Sequence, residues 1–231
     1  MKSIIITGAS SGIGRATAEL FLREGWRVGL IARRADVLEE MAAAHENAVA
    51  LPADVTDADA MQTAFDRFGD LNVLFNNAGM FGPSGPIDEI ALEDWAQVMG
   101  VNIHGMFIAA RLAFGRMRGL GGGRIINNGS LSAHVPRPGS VCYTTTKHAI
   151  TGLTRTLSLD GRAHNIACGQ IDIGNAESDM VAALKEKQPE MQTMDVAHAA
   201  QSVLHMAQMP LEANVQFLTV MATKMPYIGR G

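Results

Sequence analysis

Thr7-Gly8-Ala9-Ser10-Ser11-Gly12-Ile13-Gly14 decides the fold of this 231-residue chain. Ahead of it runs Ser3-Ile4-Ile5-Ile6, and behind it come Ala16, Ala18, Leu20 and Phe21. A short β-branched run, a glycine turn and an Ala/Leu-rich stretch read as strand, tight turn and helix. Gly8 permits the turn, Gly12 lets the backbone approach a pyrophosphate, and Gly14 lets the helix pack close to the sheet. The free N–H groups along Ser10, Ser11 and Ile13 and the positive end of the helix dipole then face an anion. A glycine triplet alone is equally a bare turn; its place between the first strand and the first helix favours the phosphate site. The spacing is G-x-x-x-G-x-G rather than G-x-G-x-x-G.

Outward from this loop two kinds of segment alternate. Apolar runs at 4–7, 27–32, 48–51, 72–76, 123–128, 165–170 and 214–220 read as strands. Ala/Leu/Glu-rich stretches at 13–25, 35–46, 57–69, 93–118, 141–160 and 193–207 read as helices, with Thr56 or Asp57 as an N-cap. The strands lack polar alternation, as expected of a parallel sheet covered on both faces. The fold expected is an α/β, doubly wound, Rossmann-type three-layer sandwich around a mostly parallel seven-stranded sheet. No repeat or linker divides residues 1–231, so one dinucleotide-binding and catalytic domain is expected. Loops at 80–92 and 171–192 fall at strand ends and are candidate pocket walls, the second as a substrate lid.

Composition narrows the function. Hydrophobic residues make up 47% and charged residues 18%, which excludes a disordered chain. A net charge of −4 gives no basic field for nucleic acid or an anionic membrane. Two cysteines, Cys142 and Cys168, are too few for a disulfide framework and fit a reducing compartment. No secretory h-region opens the chain, and no stretch approaches the ~20 apolar residues of a membrane span. A cytoplasmic protein is expected.

The second strand ends Leu30-Ile31-Ala32-Arg33-Arg34. A carboxylate there would hold a ribose 2′-OH; guanidinium groups suit a 2′-phosphate, so Arg33 and Arg34 point to NADP, with NAD as the alternative. Two solvated arginines opening a helix is the plainer reading. Asp54 and Val55 follow the third strand, and the Asp54 carboxylate accepts either from an adenine amino group or from the turn. Tyr143 and Lys147 lie four apart near a helix start, on one face. A neighbouring ammonium lowers a phenol pKa of about 10 toward the range of proton transfer. Ser130, just beyond the fifth strand, carries a hydroxyl suited to a carbonyl oxygen on which charge develops, with Ser132 as a competitor. His104, His134 and His148 share no metal-ligand spacing with each other or with the cysteines, so no metal site is expected. His134 and Val135 are read as packing or pocket residues.

These motifs together resemble the short-chain dehydrogenase/reductase family, in its compact single-domain branch. The resemblance rests on Thr7 to Gly14, Asn76-Asn77-Ala78-Gly79, Asn102 in Val101-Asn102-Ile103-His104-Gly105, Ser130, and the Tyr143/Lys147 pair, and spans about residues 3 to 220. It implies an oxidoreductase acting on a carbonyl or secondary alcohol, with a nicotinamide dinucleotide supplying the hydride. Tyr143 would be the general acid or base. Lys147 would hold the nicotinamide ribose and depress the tyrosine pKa. Ser130 would polarise the carbonyl, and Asn102 would anchor a water linking Lys147 to solvent. Asn77, Ala78 and Gly79 would contact the adenosine side and brace the sheet. The family's Pro-Gly turn reads Cys168-Gly169 here. Ile173 stands where a threonine often binds the carboxamide, which leaves the backbone of Ile171 or Ile173 for that contact. The lid carries methionines such as Met180. A homodimer or homotetramer is expected through the helices at 93–118 and 141–160, with the tail 223–231 free to cross a neighbour. The alternative is a nicotinamide-binding scaffold or redox sensor without turnover; intact Ser130, Tyr143, Lys147 and Asn102 count against it.

Overall fold

Each apolar run becomes a strand because its side chains are buried on both faces. In the computed structural model, which describes residues 1–178, 181, 182, 185 and 190–227, the strands are β1 (Ser3–Thr7), β2 (Arg27–Ala32), β3 (Ala48–Pro52), β4 (Val73–Asn76), β5 (Gly123–Asn128), β6 (Ile166–Gly174) and β7 (Phe217–Met221). Ile4 and Ile6 of β1 point into one apolar layer and Ile5 into the other, all fully buried. A strand covered on both faces has no solvent-facing side, which explains the missing alternation. The seven strands form one sheet in the order β3-β2-β1-β4-β5-β6-β7, and every pairing is parallel.

The helices are α1 (Gly12–Arg23), α2 (Ala35–Ala43), α3 (Ala58–Phe68), α4 (Leu92–Met99), α5 (Met106–Leu120), α6 (Val141–Gly161) and α7 (Val196–Gln208). Phe21, Leu38, Met41, Val203 and Leu204 from α1, α2 and α7 fill one layer, while Met61, Phe65, Ile108 and Met117 from α3 and α5 fill the other. Asp57 caps α3, its carboxylate accepting from the N–H groups of Asp59 and Ala60 at 3.0 Å. The chain moves from β3 across β1 to β4, so the strand order reverses beside β1. In a doubly wound sheet that reversal opens a crevice at the strands' carboxyl ends.

Three details differ from the sequence expectation. First, β6 continues four residues past Gln170, so Cys168-Gly169 is not a turn but mid-strand, paired with Ile125 and Ile126. Without a proline no ladder N–H is lost there. Second, β7 starts at Phe217 rather than 214. The guanidinium of Arg124, 1% exposed on β5, draws in the carbonyls of Met209, Pro210 and Ala213 at 3.1, 3.1 and 2.9 Å, and this holds the chain in a turn until then. Third, the helix expected at 93–118 contains a π-helical turn, Gly100–Gly105, which joins α4 to α5 and carries Asn102. Counted as one unbroken helix, Leu92–Leu120 is 29 residues, long and apolar enough by composition to cross a membrane, contrary to the expectation of no such stretch. Half of its most apolar window is buried inside this fold.

Candidate active site

A cavity of about 500 Å³ opens at the carboxyl ends of the central strands. Its floor is the glycine loop. Gly8, Ser10, Ser11, Gly12 and Ile13 all line it. Gly14 lies beneath instead: a Cβ there would sit 2.2 Å from the Gly8 carbonyl oxygen, so only glycine lets α1 start this close to the turn. Gly8 takes a φ of 70°, the left-handed region. The first N–H groups of α1 have no partner within the helix and point to this floor. The loop is pinned from below. The Thr7 hydroxyl accepts from the backbone N–H groups of Asn77 and Ala78 at 2.9 and 3.0 Å, and the Asn77 amide donates to the Thr7 carbonyl at 2.9 Å.

At one end of the floor Arg33, Arg34, Asp54 and Val55 line the wall. Arg34 reaches over the loop and donates from Nη2 to the Ser10 carbonyl at 2.9 Å and from Nε to the Ser10 hydroxyl at 3.2 Å. The Asp54 carboxylate accepts from the Thr56 N–H at 2.9 Å and the Thr56 hydroxyl at 2.8 Å. Those bonds, with the Arg33 charge, hold its carboxyl below the usual range. Asn77, Ala78 and Gly79 line the cavity's middle.

At the other end stand Ser130, Tyr143 and Lys147. Ser130 follows β5, its Oγ accepts from the Ser132 N–H at 3.2 Å, and its hydroxyl hydrogen-bonds Tyr143. Its own N–H donates to Asp172 Oδ1 at 2.9 Å. Gly129 makes that approach possible, because a Cβ there would lie 2.1 Å from Asp172 Oδ1. Asp172 is fully buried on β6 and saturated: Gln170 Nε2 donates at 2.7 Å, and His134 Nε2 lies 2.8 Å from Oδ2. On α6 the Lys147 ammonium donates to the Asn128 carbonyl at 2.7 Å and lies 5.4 Å from the Tyr143 ring centroid. Phe81 packs edge-on against that ring at 4.7 Å.

The electrostatics of this end run against water. Burial pushes the Tyr143 hydroxyl above its usual value; a hydrogen bond with Ser130 and the charge of Arg137 pull it down, and buried Asp172 pushes it up. Lys147 is pushed down to about 8 by burial, with Asp172 partly supporting its charge. The lowering of the phenol expected from Lys147 does not follow: burial outweighs the downward pull of Ser130 and Arg137, and the hydroxyl stays above its usual value.

The remaining sequence-derived residues divide. Ile173 lines the cavity, but Ile171 does not: its side chain is fully buried in the core and its carbonyl accepts from the Gly129 N–H at 2.8 Å. Asn102 is also away from the cavity wall. Fully buried in the π turn, its Oδ1 accepts from the Met80 N–H at 2.9 Å, while its Nδ2 donates to the Met80 carbonyl at 2.9 Å and the Thr146 hydroxyl at 3.1 Å. It ties the loop after β4 to α6. Val135 lines the cavity, whereas His134 is exposed and faces Asp172. At the base of the lid the Glu177 N–H donates to the Met194 carbonyl at 2.9 Å; Met180 lies outside the described residues. Over its described part the tail reaches this same cavity, which Met225 and Tyr227 line, and 228–231 lie outside the described residues.

Asn128, Asp172, Arg137 and Phe81 escape sequence reading. Asn128 carries a weak signal, since it immediately precedes Gly129-Ser130. Asp172 and Phe81 carry none, because their roles depend on which strands and loops meet.

The residues fit a dinucleotide. The glycine floor leaves room where side chains would intrude, guanidinium groups stand at the adenosine end, and buried Asn128 Oδ1, without a hydrogen-bond partner, marks polar demand in the middle. Comparisons agree. Residues 2–189 match the family described as short chain dehydrogenase. The 2-(R)-hydroxypropyl-CoM dehydrogenase of Xanthobacter autotrophicus is 35% identical over 93% of this chain and 89% of its own. Among solved structures, the closed form of serine dehydrogenase complexed with NADP+ superimposes with a TM-score of 0.93 at 21% identity, over 99% of this chain and 98% of its own. A 3-ketoacyl-(acyl-carrier-protein) reductase from Brucella melitensis complexed with NADH gives 0.85 at 23% identity, over 95% and 96%. With the family matched across most of its length and the same fold in its neighbours, this chain belongs to the short-chain dehydrogenases and is an oxidoreductase of that family.

Proposed function

We propose that this protein interconverts a carbonyl and a secondary alcohol, uses NADP(H) in preference to NAD(H), and relies on Tyr143 as its proton donor and acceptor. The observation that carries this reading is one cavity with two unlike ends. Arg33 and Arg34 stand at one, while the hydroxyls of Ser130 and Tyr143 meet beside Lys147 at the other. When bound, the nicotinamide dinucleotide supplies or accepts the hydride. The chain does the rest. The Ser130 hydroxyl donates to the substrate oxygen and fixes its direction. The Tyr143 hydroxyl gives that oxygen its proton in reduction and takes it back in oxidation. A phenol held protonated by burial is suited to the donor role. Lys147, anchored on the Asn128 carbonyl, holds the ribose hydroxyls and re-supplies the proton. Asn102 keeps α6 in register with the loop after β4 and positions the relay through Thr146. The loop from Gly8 to Gly14 after the first strand holds the pyrophosphate; Asp54 and Val55 flank the adenine, and Ile173 the carboxamide.

Residues 1–231 then act as one catalytic domain with 171–192 as its lid. A homodimer or homotetramer is part of the reading, supported by Phe107 and Leu159, which are 50% and 57% exposed on α5 and α6. Free, buried Cys142 and Cys168 support a reducing, cytoplasmic setting.

The cofactor preference has a direct test. Fluorescence titration is expected to give NADPH at least tenfold tighter binding than NADH, a difference of about 1.4 kcal/mol. The preference is expected to collapse when Arg33 and Arg34 are both replaced by alanine. Tighter binding of NADH by the wild type would contradict it.

A further inference from the structure

We propose that Arg137 is a carboxylate anchor, and that the natural substrate is an oxo or hydroxy acid whose acid group it receives. This rests on the oxidoreductase reading above and adds a substrate class to it. Five charged side chains line the cavity among the described residues: Arg33, Arg34, Asp54, Lys147 and Arg137. Three belong to the adenosine end, and Lys147 is spent on the Asn128 carbonyl. Arg137 is left at the substrate end, among walls supplied by Phe81, Val101, Val135 and Met225.

Its guanidinium is poised and unpaired. Nε is sealed from solvent and has no hydrogen-bond partner, and no carboxylate among the described residues forms an ion pair with it. The side chain as a whole is half-buried, but a sealed donor atom without an acceptor is costly, and such atoms are ordinarily matched by a partner. Buried Asp172 is not available to it: it does not line the cavity, and Ser130, Gln170 and His134 meet its oxygens.

The backbone holds the group in place. Arg137 stands between Pro136 and Pro138. A following proline confines Arg137 to extended backbone, and each proline ring fixes its own φ. The loop is tied down at its far end, where the Gly85 N–H donates to the Gly139 carbonyl at 3.1 Å. The prolines restrict the backbone that carries the fork, and its planar donors match a carboxylate in two parallel hydrogen bonds. One guanidinium balances one carboxylate. A phosphate dianion would call for a second cation, and the other one at that end among the described residues, Lys147, is held by the Asn128 carbonyl. Arg137 and Tyr143 line the same cavity, so one substrate can reach both with its acid group and its carbonyl.

The test uses matched pairs: acetoacetate, levulinate and 4-oxocyclohexanecarboxylate, each against its methyl ester. Initial rates are measured with NADPH on the wild-type protein, Arg137→Gln and Arg137→Lys. Loss of the Arg137 charge from beside Tyr143 slows acid and ester alike, so the acid-to-ester ratio of kcat/KM isolates the anchor. For at least one pair the wild type is expected to favour the acid at least tenfold. The ratio is expected to fall near one in Arg137→Gln and to lie between in Arg137→Lys, mostly through KM. Calorimetric titration of the same compounds into the NADP+ complex is expected to show the same order without turnover. A wild-type ratio below threefold for every pair, or a preference that survives Arg137→Gln, overturns the proposal. If none of these compounds is turned over, the family assignment stands and these acids are not substrates. The anchor is then judged by calorimetry alone, where equal binding of acids and esters overturns it.

Discussion

Replacing Tyr143 with phenylalanine is expected to lower kcat by about 10²- to 10⁴-fold, the usual worth of a positioned acid or base, while NADPH affinity stays nearly unchanged. The substitution removes one oxygen and little else. The ring stays packed against Phe81 and Lys147 keeps its bond to the Asn128 carbonyl, so the cofactor floor is undisturbed. Because burial raises the Tyr143 hydroxyl, the wild type also keeps its proton donor into alkaline solution, and reduction is expected to persist above neutrality before it falls. Steady-state rates on any carbonyl the wild type reduces, with NADPH titrated by fluorescence in parallel, give the answer. A variant with rates like those of the wild type would remove Tyr143 from the chemistry.

Lys147→Met separates activity from stability. Turnover is expected to fall by about 10²-fold or more, yet the cofactor-free protein is expected to become more stable at neutral pH. Burial lowers the Lys147 pKa from 10.5 to about 8, so between those values the unfolded chain holds more protons than the folded one. Stability therefore rises with pH through that window, and below pH 8 the buried ammonium costs about 3 kcal/mol. Loss of its bond to the Asn128 carbonyl offsets about 1 kcal/mol of the gain. Chemical denaturation from pH 6 to 10.5 should show the variant ahead at the acid end and the gap closing toward the alkaline end. A wild type more stable than the variant at pH 6 would mean that the ammonium is better compensated than its burial implies.

How far the sequence could be read depended on how local each cause was. The glycine loop is legible because its constraints act within eight residues: Gly14 must be glycine for a carbonyl only six residues back. The strands are legible because burial on both faces removes polar alternation from a run of residues such as Ile4 to Ile6. Tyr143 and Lys147 share a helix face, so their spacing is enough. The misses are non-local. Nothing near Asp172 in the chain announces that it receives the Ser130 N–H and faces His134, since that meeting is made by the parallel pairing of β5 with β6. The backbone of Ile171 or Ile173 is expected at the carboxamide because Ile173 replaces the family's threonine; with β6 running on to Gly174, Ile171 lies in the core and its carbonyl is taken by the Gly129 N–H. The π turn at Asn102 leaves no mark on the apolar periodicity of the long helix, yet it sets where the Asn102 side chain ties Met80 to Thr146.

Transfer of an isotopically marked hydride tests the central claim most directly. The protein is incubated with NADPH carrying deuterium on the transferred C4 position and a panel of ketones that includes the oxo acids above, and the alcohols formed are analysed by mass spectrometry. One deuterium on the carbinol carbon is expected with the wild type, together with loss of the product in Tyr143→Phe. Alcohol formed without deuterium, or no alcohol from any ketone by a protein that binds NADPH, would contradict the account.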